Sequence, residues 1–366
     1  MIEDLFNSTI AGVLQEDRGT SSVPAEKHGL EIELPDDFYF LPNHGNLGDM
    51  VIAEAEYQLL DRYRPFDSSV VPGGQRFNLV YGGGGLFVKY WNYEKILDVF
   101  KAENLAKCVI LPSSFYECDD LLRLLDERFT VYCRERRSYE YCIASNNRAK
   151  FILADDMAFN LDFQRLNDFD GEKFRANAAA LTAQQRSFIY FEIYLTYKKV
   201  HADIAAVLKN KTWLSGGGLR LGYILRTDKE RQGEAGVDAD EAFDLSRHVW
   251  CSCADPAVVN LYARLFVRAI DALDIVVTDR LHVGIVAARL GKQVYLLDNS
   301  YGKLSGVYEQ SMKTMKNVSM IKPVDFRAVK DALAWEETPS FTDFLKVYLS
   351  RADLESKVGD TILRIS

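Results

Sequence analysis

No stretch of this 366-residue chain is apolar for long enough to cross a bilayer, which excludes a helical membrane span. Basic residues are in deficit: 44 Lys and Arg stand against 53 Asp and Glu, for a formal net charge of −9. A surface with that balance is not built to neutralise a nucleic-acid backbone or an anionic membrane, so an anionic substrate would need a locally basic pocket. The six cysteines (Cys108, Cys118, Cys133, Cys142, Cys251, Cys253) include no pair with the two-residue gap of a zinc knuckle. Cys251 and Cys253, one Ser apart, sit too close for an easy chelate on one strand, and reduced, mostly buried thiols are expected. Internal repeats, heptad runs and low-complexity tracts are all missing. The opening residues, MIEDLFNSTIAGVLQEDRG, have neither the basic start nor the small-residue cleavage site of a secretory signal, and predict a cytoplasmic protein.

What is present is a globular balance, 48% hydrophobic and 27% charged. The length exceeds one ordinary core, so two α/β lobes facing a cleft are expected. Short β-rich runs alternate with helix-period runs, the pattern of parallel strands covered by helices. FYFLPN, NLVY, KCVILP, FTVYCR and AKFILAD give five strands to a first lobe, residues 1–165. GYILRTD, DIVVTD and QVYLLDN mark a second lobe, residues 187–340, which also contains a long helix expected from Tyr194 to Trp213. Residues 166–186 read as a crossover, the charged run after Asp228 as a solvated loop, and residues 341–366 as a terminal helix packing back.

Ligands of open α/β sheets gather where strands end and helices begin, because free amide donors and the positive ends of helix dipoles lie there. The loop NHGNLGD places Asn46 and Asp49 at such an end, either to hold a ligand or to cap the following helix. Gly82 to Gly85 fall between NLVY and an expected helix, where Gly83, Gly84 and Gly85 would expose N–H groups to a phosphate or sugar oxygen. This run is no Walker loop: it lacks the Gly-Lys-Ser/Thr ending, and Leu86 and Phe87 break the GxGxxG spacing. Of three arginines after FTVYC, Arg134 stands nearest the strand and is aimed at the cleft, while Arg136 and Arg137 read as solvated.

The stretch TDRLH carries most information. Arg280 can hold a carboxylate or phosphate by two parallel hydrogen bonds, and His282 at a helix start can donate to an anion or trade a proton. The alternative is that Asp279 pairs with Arg280 at a surface turn and His282 merely packs. Arg226, at the end of GYILRTD, and Lys303, in the loop DNSYGKLSG, occupy comparable strand-end places and point to one shared anion pocket.

Taken in order, NHGNLGD, GGGG, the RExxS element at Arg134 to Ser138, LRTDKE, TDRLH and DNSYGKLSGVYE resemble the polysaccharide pyruvyl transferase family, over about residues 37 to 315. The resemblance implies an α/β fold of two Rossmann-like lobes facing a cleft, like the GT-B glycosyltransferases. It implies phosphoenolpyruvate as donor, a free or lipid-linked saccharide as acceptor, and a cyclic pyruvate ketal as product, in exopolysaccharide or cell-surface glycan biosynthesis. Carried over by motif, Arg226, Arg280, His282 and Lys303 bind or activate the donor, with His282 as proton donor. Asn46, Gly83, Gly84, Gly85 and Arg134 face the acceptor, and Asp49 is a candidate base for its hydroxyl. The scheme requires no metal or cofactor, because cationic side chains neutralise the donor. Two rival readings share the cleft: a glycosyltransferase of this architecture using a nucleotide sugar, and a noncatalytic saccharide-binding module.

Overall fold

The computed structural model describes residues 30–60, 62–66, 74–167, 213–214, 219–228, 242–246, 255–299 and 302–321, with separate positions between 193 and 202. The expected features at 168–186, 229–240 and 341–366, together with Cys251 and Cys253, lie outside the described residues. The four described cysteines are buried free thiols. No helix among the described residues is long and apolar enough to cross a membrane.

The first half alternates β1 (Tyr39–Leu41), α1 (Leu47–Leu59), β2 (Arg64–Pro65), β3 (Phe77–Tyr81), α2 (Glu94–Phe100), β4 (Leu105–Ser113), α3 (Asp119–Leu124), β5 (Phe129–Cys133), α4 (Arg136–Ser145) and β6 (Lys150–Leu153). Its strands form one parallel sheet in the order β2-β1-β3-β4-β5-β6. The runs are apolar without alternation because helices cover both faces. The second half contains β7 (Trp213–Leu214), β8 (Leu219–Ile224), β9 (Ala242–Phe243), α5 (Pro256–Asp271), β10 (Ile275–Thr278), α6 (Leu281–Arg289), β11 (Gln293–Leu296), α7 (Lys303–Val307) and β12 (Val318–Met320). Its sheet runs β12-β11-β10-β8-β7, with β9 also beside β8; only β7 is antiparallel.

The eight expected strands are all present, and four short ones join them. β2, β7, β9 and β12 are two or three residues long, too short for any periodicity to show. Pro65 lies in β2 at the sheet edge, where a missing N–H costs no ladder bond. Two expectations are corrected. Trp213 is in a strand paired with Arg220, not at the end of a helix. No helix follows the glycine run either: Gly84 pairs with Ser113 and Val88 with Tyr116, so the chain continues along β4 until α2.

The two sheets share a helical layer. α1 packs on α5 and α6, so that Met50 and Val51 fall in the same core as Val259, Tyr262, Phe266 and Ile285. Asp255 caps α5 by accepting from the Ala257 N–H at 2.9 Å, with Pro256 in the first turn. Across the layer Glu54 of α1 accepts from Asn260 of α5 at 3.0 Å. Such a hydrogen bond is worth about 1 kcal/mol net, against about 1.5–3 kcal/mol for each large apolar side chain fully buried. Apolar contact therefore holds the halves together, and the polar tie sets their register.

Candidate active site

Parallel strands in register end abreast, and that fact assembles the site. In the second sheet Ile224, Thr278 and Leu296 are neighbours, so Arg226 and Arg280, each two residues further on, emerge side by side. In the first sheet Leu41 pairs with Tyr81, and two residues on, Asn43 donates to the Gly83 carbonyl at 3.2 Å. Both pairs of loops lie where strand order reverses, β1/β3 and β8/β10, the place where open α/β sheets bind ligands. There a cavity opens between the halves, lined among others by Asn46, Asp49, Gly85, Trp91, Arg226, Arg280, His282 and Lys303.

The cations come from the second half. Arg280 reaches Asp244 through two bonds, Nε to Oδ1 at 2.9 Å and Nη2 to Oδ2 at 2.5 Å, and its Nη2 is 2.8 Å from Asp228. Arg226 holds Asp228 from its own side at 2.9 Å. Asp244 is itself fixed by the N–H and hydroxyl of Thr227, at 2.9 and 3.0 Å. The suggested surface pair of Asp279 and Arg280 is not what forms: Asp279 is buried and accepts from the backbone N–H of Arg226 at 2.7 Å. Burial pushes its carboxyl up to about 6, against the lowering pull of that N–H and of Arg226 and Arg280. Lys303 opens the short helix α7 instead of lying in a loop, because Asn299 accepts its N–H at 2.8 Å. Its Nζ stands 2.9 Å from the point where a Cβ on Gly85 would lie, so a side chain there would displace it.

His282, the second residue of α6, is backed by two groups from the first half. Its Nε2 is 3.5 Å from Nη1 of Arg134 and 3.7 Å from Oδ2 of Asp156, while Arg134 and Asp156 pair at 2.7 Å. Burial alone would raise the Asp156 carboxyl, but Arg134 and His282 outweigh it and hold the group well below the usual carboxylate range. Arginine only donates, so its contact with Nε2 is a hydrogen bond only in the tautomer that leaves that nitrogen bare. Gly48 leaves the ring its space, since a Cβ there would lie 2.7 Å from Nδ1. Arg134 is fully buried behind the cavity wall, its Nε donating to Ser114 at 2.8 Å, and touches the site through His282.

The first-half wall is mostly neutral. Asn46 caps α1 by accepting from the Gly48 N–H at 2.9 Å, and Asp49 accepts from the Asn46 N–H at 2.8 Å, a reciprocal capping box. Capping and cavity lining are thus combined in the same two residues. Gly83 and Gly84 do not line the cavity, and the open amides expected of them are engaged in the fold. The Gly83 N–H donates to Glu56 at 2.5 Å and the Gly84 N–H to the Pro112 carbonyl at 3.1 Å. A Cβ on Gly83 would come within 2.5 Å of that same carbonyl, so close backbone approach is why glycine stands there. Burial drives the Glu56 carboxyl well above the usual range. Gly85 alone of the three reaches the cavity.

Four residues escaped sequence reasoning. Asp156 and Asp228 lie three and four residues past β6 and β8, the strand-end signal that also identifies the arginines, whereas Asp244 follows β9, a strand of two residues with no sequence pattern. Trp91, half-buried at the cavity wall, lies in a segment with no distinguishing pattern.

A sequence model of the family described as polysaccharide pyruvyl transferase matches residues 46–301. No curated protein gives a match. Among solved structures, one described as a functional uncharacterized protein from Klebsiella pneumoniae shares the fold. The TM-score is 0.55 and the identity 23%, over 78% of this chain and 92% of that one.

Proposed function

Because the chain belongs to the polysaccharide pyruvyl transferase family, we propose that this cavity moves a pyruvyl group from phosphoenolpyruvate onto a saccharide as a cyclic ketal, in a GT-B-like arrangement of its two halves. The observation that carries the reading is convergence: Arg226, Arg280, His282 and Lys303, spread over 78 positions of sequence (303 − 226 + 1), line one cavity in an otherwise acidic protein. Preorganised cations in a partly dry site stabilise developing charge far better than water does.

The chemistry divides between the walls. His282 gives a proton to the methylene carbon of the enol, which becomes the methyl group and leaves C2 electron-deficient. One sugar hydroxyl bonds to C2 and loses its proton, phosphate departs with the electrons of its C2–O bond, and a second hydroxyl closes the ring, losing the second proton. Arg226, Arg280 and Lys303 hold the phosphate and carboxylate. Asp49 takes the hydroxyl proton from the acceptor side, with Asn46, Gly85 and Trp91 shaping the sugar's place. Arg134 acts through His282 and not on the acceptor. The product belongs to exopolysaccharide or cell-surface glycan assembly in the cytoplasm.

Phosphate release from phosphoenolpyruvate across a panel of galactose, glucose and mannose glycosides, with the mass of the product, tests this. One glycoside should gain the mass of a pyruvyl ketal. Stabilisation against heat by a nucleotide sugar and not by phosphoenolpyruvate would transfer the site to the glycosyltransferase class.

A further inference from the structure

Asp228 follows Arg226 by two residues, and its carboxylate lies between the two arginines of the cavity wall. Oδ1 accepts from Nε of Arg226 at 2.9 Å, and Oδ2 accepts from Nη2 of Arg226 at 3.3 Å and meets Nη2 of Arg280 at 2.8 Å. One carboxylate shared by two guanidinium groups has the geometry that a ligand's carboxylate or phosphate would take at the same arginines. The other acid on Arg280 is of a different kind. Asp244 has 2% of its side chain exposed and is tied to Thr227 by two hydrogen bonds, whereas 27% of the Asp228 side chain meets solvent. Asp244 is built in, and Asp228 is the more exposed of the two.

Resting on the reading that this cavity takes an anionic donor, we propose that Asp228 is an intramolecular competitor for the donor's anionic group, bridging Arg226 and Arg280 until an anion displaces it. The charges of Arg226, Arg280, Asp228 and Asp244 cancel while the bridge stands, so an incoming anion finds net attraction from these four only after Asp228 leaves. Apparent affinity is then the intrinsic affinity reduced by the fraction of time the bridge is open. The same competition speeds departure of the phosphate product, which would otherwise rest on the same two arginines.

The test is titration of inorganic phosphate and of phosphoenolpyruvate into the wild-type protein and Asp228→Asn by calorimetry, at low and at high ionic strength. If the bridge forms about nine-tenths of the time, its loss tightens both about ten-fold. A damaged fold weakens binding, and plain removal of a charge near the site is screened by salt, so a tightening that persists at high ionic strength marks the bridge. Equal or weaker binding by a folded Asp228→Asn variant overturns the proposal. Should the variant not fold, a crystal structure of the wild type with phosphoenolpyruvate decides: Asp228 withdrawn from at least one arginine supports displacement, and an intact bridge beside the bound anion ends it. Tighter phosphate binding in a protein that releases none from phosphoenolpyruvate would keep the competitor and discard the pyruvyl reading. Turnover of phosphoenolpyruvate combined with weaker binding by the variant would do the reverse.

Discussion

In the first half of the chain the loops at the β1/β3 switch point turn most of their polar groups into the fold, whereas those at β8/β10 bring charged ends to the cavity. Asn46 and Asp49 cap a helix, and the Gly83 and Gly84 amides serve Glu56 and Pro112. Arg226 and Arg280 are also engaged, but by Asp228 and Asp244, which orient them and leave both against the cavity. One topology therefore supports two kinds of wall. The first offers shape and a few fixed acceptors, the second a set of cations, and the proposed reaction between a neutral sugar and a multiply charged enol phosphate calls for that division.

The largest expected effect lies on the charged wall. His282→Ala should lower phosphate release from phosphoenolpyruvate by about 10²–10⁴-fold, the usual loss of a positioned proton donor, with an unchanged melting profile. It is a cleaner probe than Arg280→Ala, which would strand buried Asp244 at a cost of about 3–5 kcal/mol. Near-normal turnover by a folded His282→Ala protein would remove the acid from this wall altogether.

A second prediction concerns stability on the same side. The Asp279 carboxyl sits at about 6 in the folded protein, above its unfolded value. Between about pH 4 and pH 6 the folded state then keeps a proton that the unfolded state has lost, and stability falls as pH rises through that window. Over it the contribution is on the order of 3 kcal/mol. Asp156, held low, contributes the opposite slope only below the unfolded carboxylate range and leaves this window untouched. Asp279→Asn keeps an oxygen for the Arg226 N–H, so its urea midpoint at pH 7 should exceed that of the wild type, with the gap closing toward pH 4. A gap independent of pH would mean that Asp279 ionises normally.

The smallest effect belongs to the neutral wall. Trp91→Ala should raise the acceptor KM by roughly ten-fold, the scale of one lost aromatic contact, and leave the phosphoenolpyruvate KM as it was. A rise in the donor KM instead would erase the distinction between the walls.

Much of this was legible in residue order. Strand-end position singled out Arg226, Arg280, His282 and Lys303, because apolar β runs are easy to see and parallel strands present their carboxyl ends together. The same rule applied to acids finds Asp156 and Asp228, three and four residues past β6 and β8, but not Asp244, whose two-residue strand has no sequence pattern. Gly83 and Gly84 misled for a local reason: a glycine that admits a ligand and one that admits a neighbouring strand look alike in sequence. Trp91 carried no signal, since its place depends on the turn after the glycine run continuing along β4.

Alternating apolar runs, strand-end motifs and their sequential order were enough to define the chain's class, its family and the cations of its second half, since these depend on neighbours a few residues away. Tertiary structure alone decided that His282 rests on Arg134 and Asp156, that two arginines share Asp228, and that the halves meet through α1 and α5. Those contacts join residues up to about two hundred positions apart, and their geometry follows from strand register and helix packing, which no local pattern encodes.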